Sequence, residues 1–318
     1  MSRITDYGVK AALLARLDAI DKSKGLLALA LMIPSLLAAG QSEKYPWLGT
    51  SPSMREWISQ RLENAPQSFD LSIPNKKYEN SSSIPLDMVN NDKLEMVQNY
   101  INGLADTYPL WMVELIAAVI NSGTTLTAFD GQPYFSASHS FGLSGTFSNL
   151  LNSAASGNAS AITALEAANA LNLAIETMKI LPDDQGRLIK NEAMKKVTLV
   201  YKAGTANAAA IRTALTQGTL SSGAGMVDNP LKGQDIEIDA VASGLITTAA
   251  TKVSLFRRVA DGGKPIIFQE NLADRMVSMM TAVDNPYVVK NDAWFVGLKC
   301  VGGVGFAMPN DALQLTFV

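Results

Sequence analysis

The chain is poor in histidine and cysteine, and this shortage excludes several kinds of chemistry. It contains one histidine, His139, and one cysteine, Cys300, among 318 residues. Zinc centres built from several histidines and cysteines need more ligands than this, so such a metal site is excluded. A single cysteine cannot form a disulfide within the chain, which is typical of a protein from a reducing compartment. Any catalysis would have to rely on carboxylates, lysines or hydroxyl groups.

Charge is also scarce. Charged residues make up 17% of the chain, the net charge is −3, and there is no block of basic residues. Tight, sequence-independent binding of nucleic acid requires clustered lysine and arginine, so the sequence argues against it. A surface with so little charge indicates contacts with other protein surfaces. The length is sufficient for two compact domains or one large one.

The apolar stretch at residues 25–40 does not have the features of a membrane span. It is too short to cross a bilayer, and it contains Pro34 and Ser35. It also follows a helix-patterned segment at residues 9–20, which an ordinary signal peptide would not contain. We interpret residues 25–40 as an arm packed on protein, and we predict no membrane partner.

The strongest pattern that is present predicts one long helix over residues 92–122. Apolar residues recur there at alternating three- and four-residue spacings, at Leu94, Val97, Ile101, Leu104, Tyr108, Trp111, Leu115 and Ala118. Asp92 and Glu95 predict a capped start, and Gly123 predicts the end. Pro109 predicts a kink. We expect this helix to lie on a sheet.

Residues 68–88 predict two strands of one long hairpin. Apolar residues alternate with polar ones at Phe69, Leu71 and Ile73, and again at Ile84, Leu86 and Met88. The polar residues 74–83 would form the far end. A two-stranded arm is marginal alone, and Pro74 and Pro85 suit an edge position. We therefore predict that this arm lies on another surface, such as a second copy of the chain.

The rest of the chain predicts helices packed on sheets. Residues 160–178 and 206–215 have helical patterns, and residues 197–201 form a β-branched strand between them. Strands at 265–269 and 293–317 are expected beside the long helix.

The few residues that suggest chemistry are better explained structurally. Ser144 lies in GLSG and lacks the G-x-S-x-G spacing of a nucleophile elbow. We interpret Asp130 and His139 as parts of a turn, with a backbone partner for the imidazole. Asp183 and Asp184 are interpreted as a solvated turn. No catalytic, cofactor-binding or metal-binding residue is predicted.

The glycine-rich residues 302–306 are followed by a strand-like segment and not by a helix, so they do not form a dinucleotide fingerprint. Close backbone packing or a turn explains them.

Taken in order, a series of short motifs resembles the major head protein of Mu-like tailed phages. The motifs are WLG at 47–49, REW at 55–57, NKKYE at 75–79, FDGQPYFSASH at 129–139, NPL at 229–231, KPII at 264–267, QE at 269–270 and the glycine-rich 302–306. Each motif is weak alone, but the ordered series is specific. The resemblance runs over residues 30–318, while the first 30 residues match no motif.

The resemblance implies an α+β fold, the capsid fold shared by tailed phages and herpesviruses. It implies an N-terminal arm at 1–50, an extended hairpin loop at 51–90, a peripheral domain at 91–159 and 263–318 that contains the long helix, and an axial domain at 160–262.

The resemblance also implies a structural protein of the virion and no enzyme. Copies would form pentamers and hexamers of an icosahedral head around double-stranded DNA, assembled in the host bacterial cytoplasm without cofactors. Portal, scaffold and decoration proteins are further candidate partners.

We hypothesise a subunit interface at Trp57 and at Asn75, Lys76, Lys77, Tyr78 and Glu79. The two lysines would pair with acidic groups on an adjacent subunit, which we favour over a covalent lysine–asparagine cross-link.

Two alternatives stay open. An intracellular α/β enzyme with a carboxylate-based site would be a monomer or small oligomer, and the scarcity of charge and histidine argues against it. A secreted or envelope-associated adhesin or pore would require removal of residues 1–40.

Overall fold

The computed structural model describes residues 15, 17, 19–48, 68–91, 96–155, 157–188, 194–258 and 264–318. Helices and sheets are mixed throughout, which confirms the predicted α+β class. The α-helices are α1 Leu86–Asn90, α2 Met96–Asn121, α3 Ala164–Lys179, α4 Ala206–Thr216 and α5 Pro286–Asn291. Short 3-10 turns occupy Gly25–Leu29, Pro230–Gly233, Leu272–Asp274 and Pro309–Asp311.

The strands form two five-stranded sheets and two short ribbons. They are β1 Ala30–Pro34, β2 Ser42–Leu48, β3 Ser68–Pro74, β4 Lys76–Pro85, β5 Leu150–Ser153, β6 Lys196–Lys202, β7 Thr219–Ser221, β8 Met226–Asp228, β9 Glu237–Ser243, β10 Lys252–Arg258, β11 Ile266–Glu270, β12 Met276–Met280, β13 Ala293–Phe306 and β14 Ala312–Phe317.

The predicted long helix is α2, and it continues through Pro109 to Asn121. The predicted caps Asp92 and Glu95 lie outside the described residues. Gly123 does not have the left-handed backbone of a helix cap. A Cβ atom at Gly123 would lie 2.5 Å from Cδ2 of Phe135, so the glycine is needed to admit that ring. The helix end was predicted at the right place for the wrong physical reason.

The buried stripe of α2 agrees with the prediction in its first half and departs from it in its second half. After Tyr108, the buried positions are Met112, Ile116, Ala117, Val119 and Ile120, while Ala118 is exposed. A three-and-four spacing averages 3.5 residues, whereas the helix has 3.6 residues per turn. A stripe with the predicted spacing therefore rotates around the helix by about 20° per seven residues relative to the face that is buried. In the second half of α2, the buried residues lie one position later than predicted.

The first sheet lies beside α2 and has the order β1-β11-β13-β12, with β4 pairing with β13 as well. Glycines of β13 let other chain segments approach closely. A Cβ atom at Gly303 would lie 2.3 Å from the carbonyl oxygen of Pro74, and one at Gly305 would lie 2.9 Å from Cδ1 of Ile73. These contacts confirm that residues 302–306 serve close backbone packing.

The predicted hairpin within residues 68–88 is wrong, although both of its strands exist. β3 pairs with β2, from Ser42 opposite Pro74 to Leu48 opposite Ser68. β4 instead pairs with β13 along its whole length, from Lys76 opposite Gly302 to Pro85 opposite Ala293. Alternation reveals which face of a strand is buried but not which strand pairs with it. We call β2 and β3 together the ribbon, and the residues that connect them, 49–67, lie outside the described part.

The second sheet has the order β5-β14-β10-β6-β9 and packs against α3 and α4. The predicted helix–strand–helix series is confirmed here as α3, β6 and α4. The expectation that residues 293–317 lie wholly beside the long helix is wrong for β14. Leu313, Leu315 and Phe317 of that strand are buried in the core of the second sheet.

The apolar stretch at 25–40 begins by packing on protein, as predicted. Leu26, Leu27 and Leu29 are buried in the core around α2, and β1 runs parallel to β11. Within the described residues, α2 is long and apolar enough to cross a membrane by length and composition. The contacts of α2 with the first sheet are those of a core helix.

Candidate subunit-interface surface

Asn75 was predicted at an interface, but it is buried inside the subunit with 1% of its surface exposed. Its side-chain nitrogen donates to Oγ of Ser35 and to the carbonyl oxygen of Leu37, both at 2.9 Å. Its side-chain oxygen accepts from Nε2 of Gln269 at 2.7 Å. Because these bonds use both ends of the amide, Asn75 ties the arm to the first sheet within the subunit.

The neighbouring charged residues do lie on the surface. Lys76 and Lys77 are exposed at the start of β4, not at the tip of a hairpin. In the part of the chain that the structure describes, neither lysine forms an ion pair. Glu79 is also exposed and accepts a hydrogen bond from Oγ of Ser81 at 2.6 Å. Trp57 lies outside the described residues.

Tyr78 belongs to an aromatic cluster between β4 and α2. Its ring centroid is 5.1 Å from that of Trp111, which lies 5.6 Å from Tyr108 and 5.5 Å from Phe268. The indole nitrogen of Trp111 is buried and has no hydrogen-bond partner. A cavity of about 360 Å³ opens beside this cluster. Tyr78 and Glu79 are therefore the two predicted interface residues that line this cavity.

A second cavity, of about 580 Å³, lies where α1 leads into α2. Met88, Met96 and Tyr100 line it and are 58%, 75% and 52% exposed. Met88 was predicted on a strand but lies in α1. Sequence reasoning missed this surface, because its residues come from β4, α1 and α2 and share no local pattern.

Together the two cavities line the junction of β4 with α2, although they share no lining residue. Between them, Nδ2 of Asn80 donates to Oγ1 of Thr107 at 2.9 Å, and the hydroxyl oxygens of Ser82 and Tyr100 are 2.6 Å apart. We call this feature the β4–α2 trough, and its named lining residues are Tyr78, Asn80, Ile84, Met88, Met96, Tyr100, Thr107, Leu110, Trp111 and Glu114.

The groups below the trough are not set up for catalysis. The hydroxyl of Tyr108 donates to Oε2 of Glu270. Burial, and then the carboxylate of Glu270, raises the pKa of Tyr108 well above its usual range. Burial is also the main reason that the pKa of the Cys300 thiol is raised to about 12. Both groups therefore stay neutral at physiological pH, so neither acts as an anionic nucleophile.

The predicted turn, with a backbone partner for the imidazole of His139, is confirmed. Nε2 of the imidazole lies 3.1 Å from the carbonyl oxygen of Tyr134, and Gly131 makes the bend with a φ of 78°. Nδ1 lies 2.7 Å from Oδ2 of Asp130. Ser144 donates its hydroxyl to the adjacent carbonyl of Gly145. Both nitrogens of the His139 ring are hydrogen-bonded within the turn, and the hydroxyl of Ser144 is bonded to a backbone carbonyl. The turn therefore does not pair a serine nucleophile with a histidine base.

The interpretation of Asp183 and Asp184 as a solvated turn is wrong. They are 3% and 1% exposed. Asp183 pairs with the guanidinium of Arg187 at 3.0 Å, and it also accepts from the backbone N–H of Gln185. The carboxylate needed these internal partners because burial removes its water. Among the described residues, no group of three or more His, Cys, Asp or Glu side chains could hold a metal ion.

Comparison with solved structures identifies the fold of the protein. The chain matches the capsid structure of the cyanophage P-SCSP1u with a TM-score of 0.55, at 17% identity, over 91% of this chain and 86% of that chain. At this identity the likeness is one of fold. The fold is that of tailed-phage capsid proteins, as the motif series implied.

Within that class, residues 19–162 match the family described as the Mu-like prophage major head subunit gpT. The chain is 32% identical over 101 residues to the Mu-like prophage FluMu major head subunit of Haemophilus influenzae, covering 32% of this chain and 33% of that protein. It is 28% identical over 99 residues to the major capsid protein of Escherichia phage Mu, covering 31% and 32%. These alignments span about a third of either relative. The predicted resemblance to Mu-like major head proteins is confirmed over this region.

Proposed function

We propose that this chain is a major capsid protein whose copies assemble into the head of a tailed phage. The observation that supports this most directly is the coincidence of two matches: a capsid fold over 91% of the chain and a Mu-like head-subunit match over residues 19–162. The site chemistry agrees, because the tyrosine, histidine and aspartates discussed above are hydrogen-bonded within the subunit and the thiol is buried. No observation favours the carboxylate-based enzyme.

The proposed mechanism is assembly into pentamers and hexamers through head-to-tail contacts that close into rings. Each copy would contact several others at once, so that contacts that are weak singly give a durable shell. The net charge of −3 keeps repulsion between copies small.

In this proposal the axial domain at 160–262 sets the ring, and the peripheral domain at 91–159 and 263–318 forms the shell between rings. The ribbon, with its connection at 49–67, lies over a neighbouring copy, and the N-terminal arm at 1–50 contacts another. Lys76 and Lys77 pair with acidic groups of an adjacent subunit. Exposed ion pairs contribute less than about 1 kcal/mol each, but they repeat around every ring.

The proposed head encloses double-stranded DNA without sequence preference and assembles in the host bacterial cytoplasm. Portal, scaffold and decoration proteins are the proposed further partners. The scarcity of basic residues is consistent with loose contact to the packaged DNA.

Negative-stain electron microscopy and size-exclusion chromatography of the purified chain, over a series of concentrations, test this function. Shells, tubes or rings of five and six copies are the expected result. A monomer at every concentration, with and without a co-expressed scaffold, would contradict the proposal and favour the enzyme alternative.

A further inference from the structure

A separate cavity, of about 390 Å³, lies between the 3-10 turn Gly25–Leu29 and the second sheet. Thr198 of β6 lines this cavity and is only 1% exposed, and its Oγ1 has no hydrogen-bond partner among the described residues. A hydroxyl that is buried without a partner costs free energy, so such groups are usually satisfied by water or by a ligand. We call this space the Thr198 cavity, and its volume is typical of small-molecule sites.

The strand register brings charged side chains next to the buried hydroxyl. Thr198 stands opposite Asp239 of β9 and Phe256 of β10. Lys196 and Arg258, two residues further along their strands, lie on the same face of the sheet. Nη1 of Arg258 donates to Oδ2 of Asp239 at 3.1 Å, and Nζ of Lys196 lies 2.9 Å from the same oxygen. One carboxylate oxygen is therefore shared between two cations.

Positive charge exceeds negative charge around the Thr198 cavity. Lys24 lines the cavity from the N-terminal side and forms an exposed ion pair with Asp21 at 3.1 Å. Lys264 lies near Arg258, and its pKa is lowered first by burial and then by the charge of that guanidinium. The charged groups in this region are four cations and three carboxylates: Lys24, Lys196, Arg258 and Lys264, and Asp21, Glu237 and Asp239. The excess of one positive charge suits an anion.

The outer edge of β9 adds backbone donors to the cavity. β9 is the last strand of the second sheet, and no strand in the described part of the chain pairs with its outer side. The N–H of Glu237 donates to the carbonyl of Lys195 at 2.8 Å, so every second residue from Glu237 onward faces β6. Ala240 and Ala242 therefore direct their N–H groups outward, and both residues line the cavity. Unpaired sheet edges of this kind can bind anions.

We propose that the Thr198 cavity binds a phosphate group that carries a proton, either free inorganic phosphate or a phosphate monoester. Lys24, Arg258 and the hydroxyl of Thr198 donate hydrogen bonds to it from three different elements of the chain. Donors that converge from several directions suit a tetrahedral anion better than a planar carboxylate. An ionised Asp239 can only accept, so it accepts the proton of the phosphate. The inference goes beyond the proposed function and does not depend on it.

Asp239 gives this site a selectivity that charge alone would not give. Sulfate has the shape of phosphate but carries no proton near neutral pH, so its oxygen would face the carboxylate of Asp239 without a hydrogen bond. A phosphodiester of DNA also carries no proton. The backbone of a duplex is too bulky to reach Thr198, because that residue is 1% exposed. A small, protonated phosphate group is therefore the chemistry that the cavity recognises.

The first test is calorimetric titration of the purified chain at pH 6 and constant ionic strength. A phosphate monoester releases its second proton near pH 6, so free phosphate and deoxyadenosine 5′-monophosphate both keep a large protonated share. Inorganic phosphate should bind at one site per chain, and sulfate should bind at least about tenfold more weakly. Binding of the monophosphate as well would identify a monoester as the source of the group, and its failure would identify the free ion.

Two results of this titration would overturn the proposal. One is the absence of saturable phosphate binding up to about 10 mM, a concentration that would detect even millimolar affinity. The other is binding of sulfate, or of a dinucleotide with a single phosphodiester, as tightly as phosphate.

The second test removes the buried hydroxyl. Thr198→Val keeps the shape of the side chain and should weaken phosphate binding at least about tenfold. The unliganded variant should melt no lower than the wild type, because the hydroxyl has no partner in the subunit. Thr219→Val, at an exposed position of β7, is the matched control and should bind phosphate like the wild type. Equal affinity of Thr198→Val and the wild type would overturn the site.

The third test concerns the phosphate proton. Asp239→Asn replaces an obligatory acceptor with an amide that can also donate, so the preference for phosphate over sulfate should fall from at least about tenfold to near one. Asp235→Asn changes an exposed carboxylate outside the cavity and should keep the preference. An unchanged preference in Asp239→Asn would overturn the role of this carboxylate.

Discussion

The two sheets of this protein differ in how far along the chain their partners lie. In the second sheet, α3, β6 and α4 follow one another, and both helices carry their own start signals. Thr163 and Glu166 form a capping box on α3, and Thr205 caps α4. The first sheet instead joins β1, β4 and β13, whose residues are up to about 270 positions apart. The helices of the second sheet therefore begin at local signals, although its strand β5 pairs with the distant β14. In the first sheet, β1 and β4 have only distant partners.

The packing inside the two sheets differs accordingly. The second core is filled by alanines of the two helices against leucine and valine on the strands. The first sheet relies on glycines that admit backbone atoms and on the amide of Asn75, which bonds to both the arm and β11. Such contacts depend on single atoms, so a glycine substitution in the first sheet should cost more stability than the loss of a helix cap in the second.

The largest predicted loss of stability tests the connection between the second sheet and the turn before β14. Arg257 of β10 and Asp311 form a fully buried ion pair. Asp311→Ala leaves the guanidinium buried without its carboxylate, which should lower the free energy of unfolding by about 3–5 kcal/mol. Chemical denaturation measures this loss. The control is Glu237→Gln, which removes an exposed partner of Lys196 and should cost less than about 1 kcal/mol.

Gly303→Ala tests the packing of the first sheet. The added Cβ would lie 2.3 Å from the carbonyl oxygen of Pro74, so the ribbon must move away from β13. We expect a loss of about 3 kcal/mol, measured by chemical denaturation. Gly218→Ala, with open space around its Cβ and no left-handed backbone, is the matched control and should be nearly neutral. If Gly303→Ala were as stable as Gly218→Ala, the first sheet would not depend on close backbone packing at its glycines.

Thr163→Ala tests the local signals of the second sheet. It removes the side-chain acceptor for the N–H of Glu166 and one half of the capping box. The expected loss is about 1 kcal/mol, measured by thermal or chemical denaturation. A loss as large as that of Gly303→Ala would show that the second sheet also depends on single-atom contacts.

The smallest expected effect concerns the thiol in the first sheet. Burial raises the pKa of Cys300 from 9.0 to about 12. The folded thiol therefore stays neutral at pH 8 and should not react with a thiol reagent until the chain unfolds. Since the unfolded thiol ionises near its ordinary pKa, its contribution to stability is lost as the pH rises from about 9 towards 12. Rapid labelling of the native chain at pH 8 would contradict this.

The contrast between the sheets also explains what could be predicted from the sequence. Periodicity and caps located α3, β6 and α4, because the information lies within a few residues of each element. Alternation found both β3 and β4 but assigned them to one hairpin, since pairing depends on the distant strand β13. Burial of Asp183 depends in the same way on tertiary packing, which the local turn pattern does not contain.

The subunit interface itself stays a prediction. Exposed Lys76, Lys77 and Glu79 and the half-buried Tyr78 lie on strand β4, whereas the sequence pattern placed them at the far end of a hairpin. Asn75 is buried, because its position after Pro74 places it between two strands that enter different sheets. The apolar trough was not foreseen, since its residues come from β4, α1 and α2 and share no local pattern.

Native mass spectrometry of the purified assembly tests the central claim most directly. The account predicts species that contain five and six copies of the chain, together with larger shells built from them. A single species of one or two copies, under conditions in which the chain is folded and a scaffold is supplied, would contradict it.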